Sequence, residues 1–158
     1  MGRYKVDVIV LLASFVLAGA LPVAAAPIAG LHYLVGTWKC TYRGGAASLA
    51  YDATWANDLD GHSLRQVDSW PGGGAEELLA YDAHRGWTAV IFDGQGDATV
   101  MRGTGGNANR FAYRSVYPDT SIAVTFDRIS ASKYSLHGTV RSGGKTITSV
   151  DTCLRGSR

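Results

Sequence analysis

The feature that constrains this chain most is its punctuation. After residue 34 short turn signals recur throughout: Gly44-Gly45, Asp58-Leu59-Asp60-Gly61, Pro71-Gly72-Gly73-Gly74, His84-Arg85-Gly86, Asp93-Gly94-Gln95-Gly96, Gly105-Gly106-Asn107, Pro118-Asp119 and Gly143-Gly144. These residues supply positive φ or a preset φ and so end regular structure wherever they stand. The stretches between them are rich in β-branched and aromatic residues and alternate in character. Phe111, Tyr113, Ser115 and Tyr117 share one face, for example, while Arg110, Ala112 and Arg114 share the other. Turn signals roughly every 8 to 12 residues, with period-two segments between them, describe an all-β meander.

The spacing predicts ten strands: Thr37 to Tyr42, Ser48 to Ala56, His62 to Trp70, Glu76 to Tyr81, Trp87 to Phe92, Ala98 to Gly103, Arg110 to Tyr117, Ser121 to Ile129, Lys133 to Arg141 and Lys145 to Leu154. No apolar run after the N-terminal segment keeps a helical period, so little helix is expected. Glu76 to Tyr81 has an alternative, since Glu-Glu-Leu-Leu-Ala also suits the start of a helical turn. Pro27 to Tyr33 reads as a short lead-in. A length of 158 residues suits one domain.

The N-terminus reads as a targeting segment. Arg3 and Lys5 precede an uncharged run from Val8 to Val23, and Val23-Ala24-Ala25-Ala26 offers the small residues that signal peptidase requires. Cleavage is expected after Ala25, leaving residues 26–158 as the mature domain, exported to the periplasm or beyond. An uncleaved anchor is the alternative, because the apolar run is long enough to span a bilayer. With the segment removed, no stable membrane insertion is expected.

Export bears on the two cysteines. Cys40 lies in the first strand and Cys153 in the last, and neither sits in a CxxC pair. In an oxidising compartment a structural disulfide is the natural reading, and closing so long a loop contributes about 4 to 5 kcal/mol on the chain-entropy model. The charge is close to balanced, with 15 Lys+Arg against 13 Asp+Glu, and the basic residues are scattered. Nucleic acid is therefore not an expected partner.

Leu34-Val35-Gly36-Thr37-Trp38 resembles the Gly-x-Trp opening of the first strand in the calycin superfamily, the lipocalins and their relatives. Together with Tyr81-Asp82, Trp87 and Asp93-Gly94, it is similar to lipocalin-like domains that bacteria export. The resemblance implies an antiparallel up-and-down β-barrel of about 8 to 10 strands, calycin-like, whose first and last strands are neighbours. It also implies a barrel-closing set of Gly36, Trp38 and an Arg from the last strand. If Cys40 faces Cys153 in an antiparallel ladder, Arg155 falls opposite Trp38, so the disulfide and the Arg-over-Trp contact demand one register.

Chemistry-bearing patterns are sparse. There is no Gly-x-Ser-x-Gly, and nothing marks an activated nucleophile, so no enzymatic activity is expected. Asp58 with Asp60, and Glu76 with Glu77, read as turn capping and solvation rather than paired acid/base work. Gly72-Gly73-Gly74 and Gly94-Gln95-Gly96 lack the helix or Gly-Lys-Ser/Thr of a phosphate loop. His32, His62, His84 and His137 show no metal spacing, and no cofactor is expected. His137 marks a minor alternative, a haem-binding barrel, through resemblance to nitrobindin-like proteins that use one barrel His as an iron ligand.

What remains is the lumen. Barrel mouths are default sites for small apolar ligands, and Tyr51, Trp55, Trp70, Trp87, Phe111, Tyr113, Phe126 and Tyr134 are the candidates to line one. The expected function is non-catalytic binding of a small hydrophobic molecule. A filled barrel serving as a structural or protein- or glycan-binding module of the envelope is the alternative, in which the same rings are simply core.

Overall fold

The turns decide the topology, because each is too short to do anything but reverse the chain onto its neighbour. The computed structural model describes residues 27–82, 84–119 and 121–156; the segment read as a targeting peptide lies outside them. Ten strands result: β1 (Gly36–Gly44), β2 (Ala47–Asp58), β3 (Ser63–Trp70), β4 (Gly73–Asp82), β5 (Gly86–Asp93), β6 (Ala98–Asn107), β7 (Arg110–Tyr117), β8 (Ile122–Ser130), β9 (Lys133–Ser142) and β10 (Lys145–Arg155). Every strand is antiparallel to its sequence neighbours, and β10 pairs with β1 to close the ring. The architecture is an up-and-down, calycin-like β-barrel. Closure leaves no sheet edge exposed.

The turn chemistry is visible in the hydrogen bonds. The Asp93 carboxylate accepts from the backbone N–H groups of Gln95 (2.9 Å) and Asp97 (3.0 Å). Asp82 does the same for His84 and Arg85, both at 2.8 Å. Between β9 and β10, Gly143 and Gly144 have φ of 55° and 75°, the pair of left-handed residues that a two-residue hairpin requires. Glu76 to Tyr81, open to a helical reading in sequence, runs as part of β4. Its neighbours β3 and β5 supply a full ladder on both sides, which outweighs local helix propensity.

The first and last strands meet in the register that the two cysteines demand. Cys40 and Cys153 are opposed and disulfide-bonded, and Arg155 stands opposite Trp38. The Arg155 guanidinium lies 4.4 Å from the Trp38 ring centroid. It also donates to the carbonyls of Val35 (3.2 Å) and Tyr33, so one cation ties the lead-in to the barrel.

That lead-in is more than a tether. Pro27–Leu34 forms a 3₁₀ helix, a piece of structure the sequence reading left as plain chain. Its Ile28, Leu31 and Leu34 are buried across the end of the barrel. The Leu34 carbonyl accepts from the Trp38 indole N–H at 2.6 Å. Gly36 links helix to strand with φ 125°, and a Cβ there would come 3.3 Å from Arg155 Nη1. The Gly of Gly-x-Trp thus serves both the left-handed backbone and the close approach of the arginine.

Behind this plug the lumen is filled by aromatic rings. Trp87 (β5), Phe111 (β7), Phe126 (β8) and Tyr134 (β9) stack in succession with centroids 4.8 to 5.1 Å apart, and Trp38 (β1) meets Tyr134 edge-on at 4.8 Å. Each such pair adds about 0.5–1.5 kcal/mol beyond the area it buries. On β6, Gly103 makes room for this layer: a Cβ there would lie 2.6 Å from the Cβ of Trp87.

Candidate functional site

Above the aromatic layer the same inward positions change character. Leu64, Gln66, Asp68 and Trp70 alternate inward along β3; in register with them, Leu79, Glu77 and Ala75 do so along β4. On β10, Asp151 is two residues from the buried Cys153 and shares its face. Beyond Leu64 and Leu79, which belong to the packed layer, Gln66, Asp68, Trp70, Ala75, Glu77 and Asp151, with Tyr42, Leu49, Tyr51, Ile91, Leu136 and part of Glu76, line a cavity of about 350 Å³ beneath the open end of the barrel. That volume lies within the usual range for small-molecule sites.

The eight candidate rings separate into two groups. Tyr51 and Trp70 line the cavity, Trp70 at its mouth, where the small residue opposite it, Gly73, leaves room for the indole. Trp55, Trp87, Phe111, Tyr113, Phe126 and Tyr134 are buried in the packed half. Tyr134 and Tyr113 mark the boundary. The Tyr134 hydroxyl accepts from the Trp55 indole at 3.2 Å, and Tyr113 interacts with the carboxyl of Glu77.

Three carboxyls therefore face one lumen, and the sequence reading missed all three as site residues. Glu76 and Glu77 read as a solvated pair. The structure corrects that reading for one of them. Glu76 is on the outer wall, bonded to Arg65 at 2.7 Å and 2.8 Å, whereas Glu77 points inward. Burial pushes the Glu77 carboxyl up to about 8, with the Asp68 charge acting in the same direction. Burial likewise raises Asp68 to about 6, opposed by the Gln66 amide, which donates to it at 2.6 Å. Asp151 is raised by burial too, while the Tyr51 hydroxyl donating at 2.9 Å acts against the shift. Parity was the available signal: once Leu79 and Cys153 are placed inward, Glu77 and Asp151 must follow.

Glu77 carries a second oddity. Among the described residues, the buried side-chain oxygens without a hydrogen-bond partner are those of Tyr33 and Ser63 and Oε1 of Glu77, and of these only Glu77 lines the cavity. No three His, Cys, Asp or Glu side chains among the described residues are close enough together to hold a metal ion. His137 stands on the outer wall, its Nε2 3.2 Å from Ser135 Oγ and 4.0 Å from Asp127. Another hollow lies outside, where β1, β2 and β10 curl past one another. It is lined by exposed groups such as Lys39 and Asp52, which are paired at 2.7 Å.

No protein-family model matches the chain, and no curated protein matches it. Among solved structures it is similar to that of EF1p2_mFAP2b bound to DFHBI, at 11% identity and a TM-score of 0.45, over 83% of this chain and 100% of that one. Among the described residues no helix is long and apolar enough to cross a membrane.

Proposed function

We propose that this protein is an exported, non-catalytic binding protein that takes a small, largely hydrophobic molecule into the open half of its lumen. One observation carries the reading: a rigid barrel is packed solid at one end and holds a preformed cavity of about 350 Å³ at the other. A barrel needed only as a scaffold gains stability by filling both halves. The cavity offers Leu49, Ile91, Leu136 and the Trp70 ring to an apolar body. Export is supported by the Cys40–Cys153 disulfide, a bond that persists in oxidising compartments.

The test uses N-phenyl-1-naphthylamine, an uncharged dye whose emission rises in apolar surroundings. Saturable one-to-one binding is expected, and Leu136→Trp, which fills the cavity, should abolish it while leaving the unfolding free energy in urea within about 1–3 kcal/mol of the parent. A dye signal that is absent, or indifferent to Leu136→Trp, would overturn the reading in favour of a structural or interaction module.

A further inference from the structure

The open half of the lumen is one-sided in charge. Asp68 from β3, Glu77 from β4 and Asp151 from β10 reach the cavity from three strands, and among the described residues no Lys, Arg or His lines it. The groups that face these carboxyls are neutral donors: Gln66 on β3, Tyr51 on β2, Tyr113 on β7 and, at the cavity floor, Tyr134 on β9. The inward cations are elsewhere. Arg155 lies against Trp38 and Arg128 against Tyr33, both at the plugged end behind the aromatic layer. Lys39, Arg65 and His137 are on the outer wall.

Buried carboxyls with no cation beside them are costly, and proteins retain such groups where function needs them. Glu77 Oε1 is the clearest case. It is sealed from solvent and accepts no hydrogen bond, while the residue that carries it is part of the cavity lining. A single metal ion does not answer this arrangement, because the three carboxyls do not converge closely enough to share one. A larger cation does, since its charge can sit among them while its apolar part fills the remaining volume.

We propose that the pocket is selective for small organic cations: a protonated amine on an aromatic or aliphatic body, its N–H groups directed at Glu77 and flanked by Asp68 and Asp151. The Trp70 ring at the mouth provides a π-face for the same charge. This inference rests on the lumen being a binding pocket and adds the chemical class of its occupant. It also carries a proton linkage. A cation stabilises the ionised carboxylate, so its arrival displaces the proton that Glu77 holds at neutral pH.

The experiment compares two compounds of matched shape, 1-naphthylmethylamine and 1-naphthalenemethanol, by calorimetry on the disulfide-bonded chain. The amine should bind at least about tenfold more tightly than the alcohol. At pH 7, titrations in buffers of different ionisation enthalpy should show proton release for the amine and none for the alcohol. Glu77→Gln should erase most of the preference and the proton release, and Asp68→Asn should reduce the preference, while both variants keep a single cooperative unfolding transition. Equal affinity for amine and alcohol, or a preference unchanged in Glu77→Gln, would overturn the cation proposal while leaving the pocket standing. Failure of every naphthyl compound to bind would remove the pocket, and the proposal with it.

Discussion

The two halves of the lumen obey one rule and reach opposite results. In both, alternate residues of ten strands point inward. In the plugged half those residues are Trp38, Trp55, Leu64, Leu79, Trp87, Phe111, Phe126 and Tyr134, all buried, with the ring hydroxyl and indole groups largely bonded to one another or to backbone. In the open half Tyr51, Gln66, Asp68, Glu77 and Asp151 stand beside Leu49, Ile91, Leu136 and Trp70 around a void. The fold needs only the first set. Placing carboxyls where hydrophobic side chains would pack lowers stability, and the natural interpretation of such a cost is a use for the space.

Four outcomes break or sharpen that contrast, from the largest effect down. Trp38→Ala empties the centre of the packed half, removing the partner of Arg155 and of Tyr134 together. Urea denaturation should show a loss of about 3–5 kcal/mol. A loss under about 1 kcal/mol would mean that the two halves are not energetically distinct.

The next outcome concerns pH. Glu77 is raised to about 8 from an ordinary 4.5, and Asp68 to about 6 from 3.8. Raised carboxyls keep their protons in the folded chain after the unfolded chain has lost them, so the folded state binds more protons in that window. Stability should fall as pH rises, from about 4 to about 6 through Asp68 and on to about 8 through Glu77, by a few kcal/mol in all. Glu77→Gln should flatten the upper part of that decline and make the protein more stable than the parent at pH 8.5. A parent whose stability is level from pH 5 to pH 8 would show the open half to be wetter than its geometry implies.

Gly36→Ala tests the plug from its backbone. A side chain at φ 125°, 3.3 Å from Arg155 Nη1, should cost about 1–3 kcal/mol and loosen the 3₁₀ helix. Protection of the Trp38 indole N–H from exchange should fall with it. Smallest is Tyr51→Phe, which removes the donor to Asp151 in a half already short of donors. A loss of about 1 kcal/mol is expected, together with a further rise in the Asp151 titration seen by NMR.

The barrel was legible in the sequence because its signals are local and redundant. A glycine pair or an Asx turn ends most of the strands whatever the rest of the chain does, a serine turn ends β8, and alternation fixes the face. The Trp38–Arg155 contact was reachable for a related reason, since one covalent pairing sets the register of a whole ladder. Two things were less legible. The Pro27–Leu34 helix owes its form to the barrel end it covers, and its apolar residues carry no period that distinguishes a plug from a linker. The lumen carboxyls were hidden by a habit of reading, in which Asp and Glu default to solvent. Gln66, Asp68 and Glu77 each stood in an alternating series whose other members were plainly inward, and the series was the better guide.

The bond between Cys40 and Cys153 closes residues 40–153 into a covalent ring, outside which the Pro27–Leu34 lead-in stands. Since β1 and β10 are joined both by ladder and by sulfur, and Gly156 N–H still reaches Thr37 O at 2.9 Å, the described ends of the barrel lie side by side. A circular permutant that links those ends and opens the chain between Gly143 and Gly144 would have the same ten staves, with its seam moved to the β9–β10 corner and its cavity untouched.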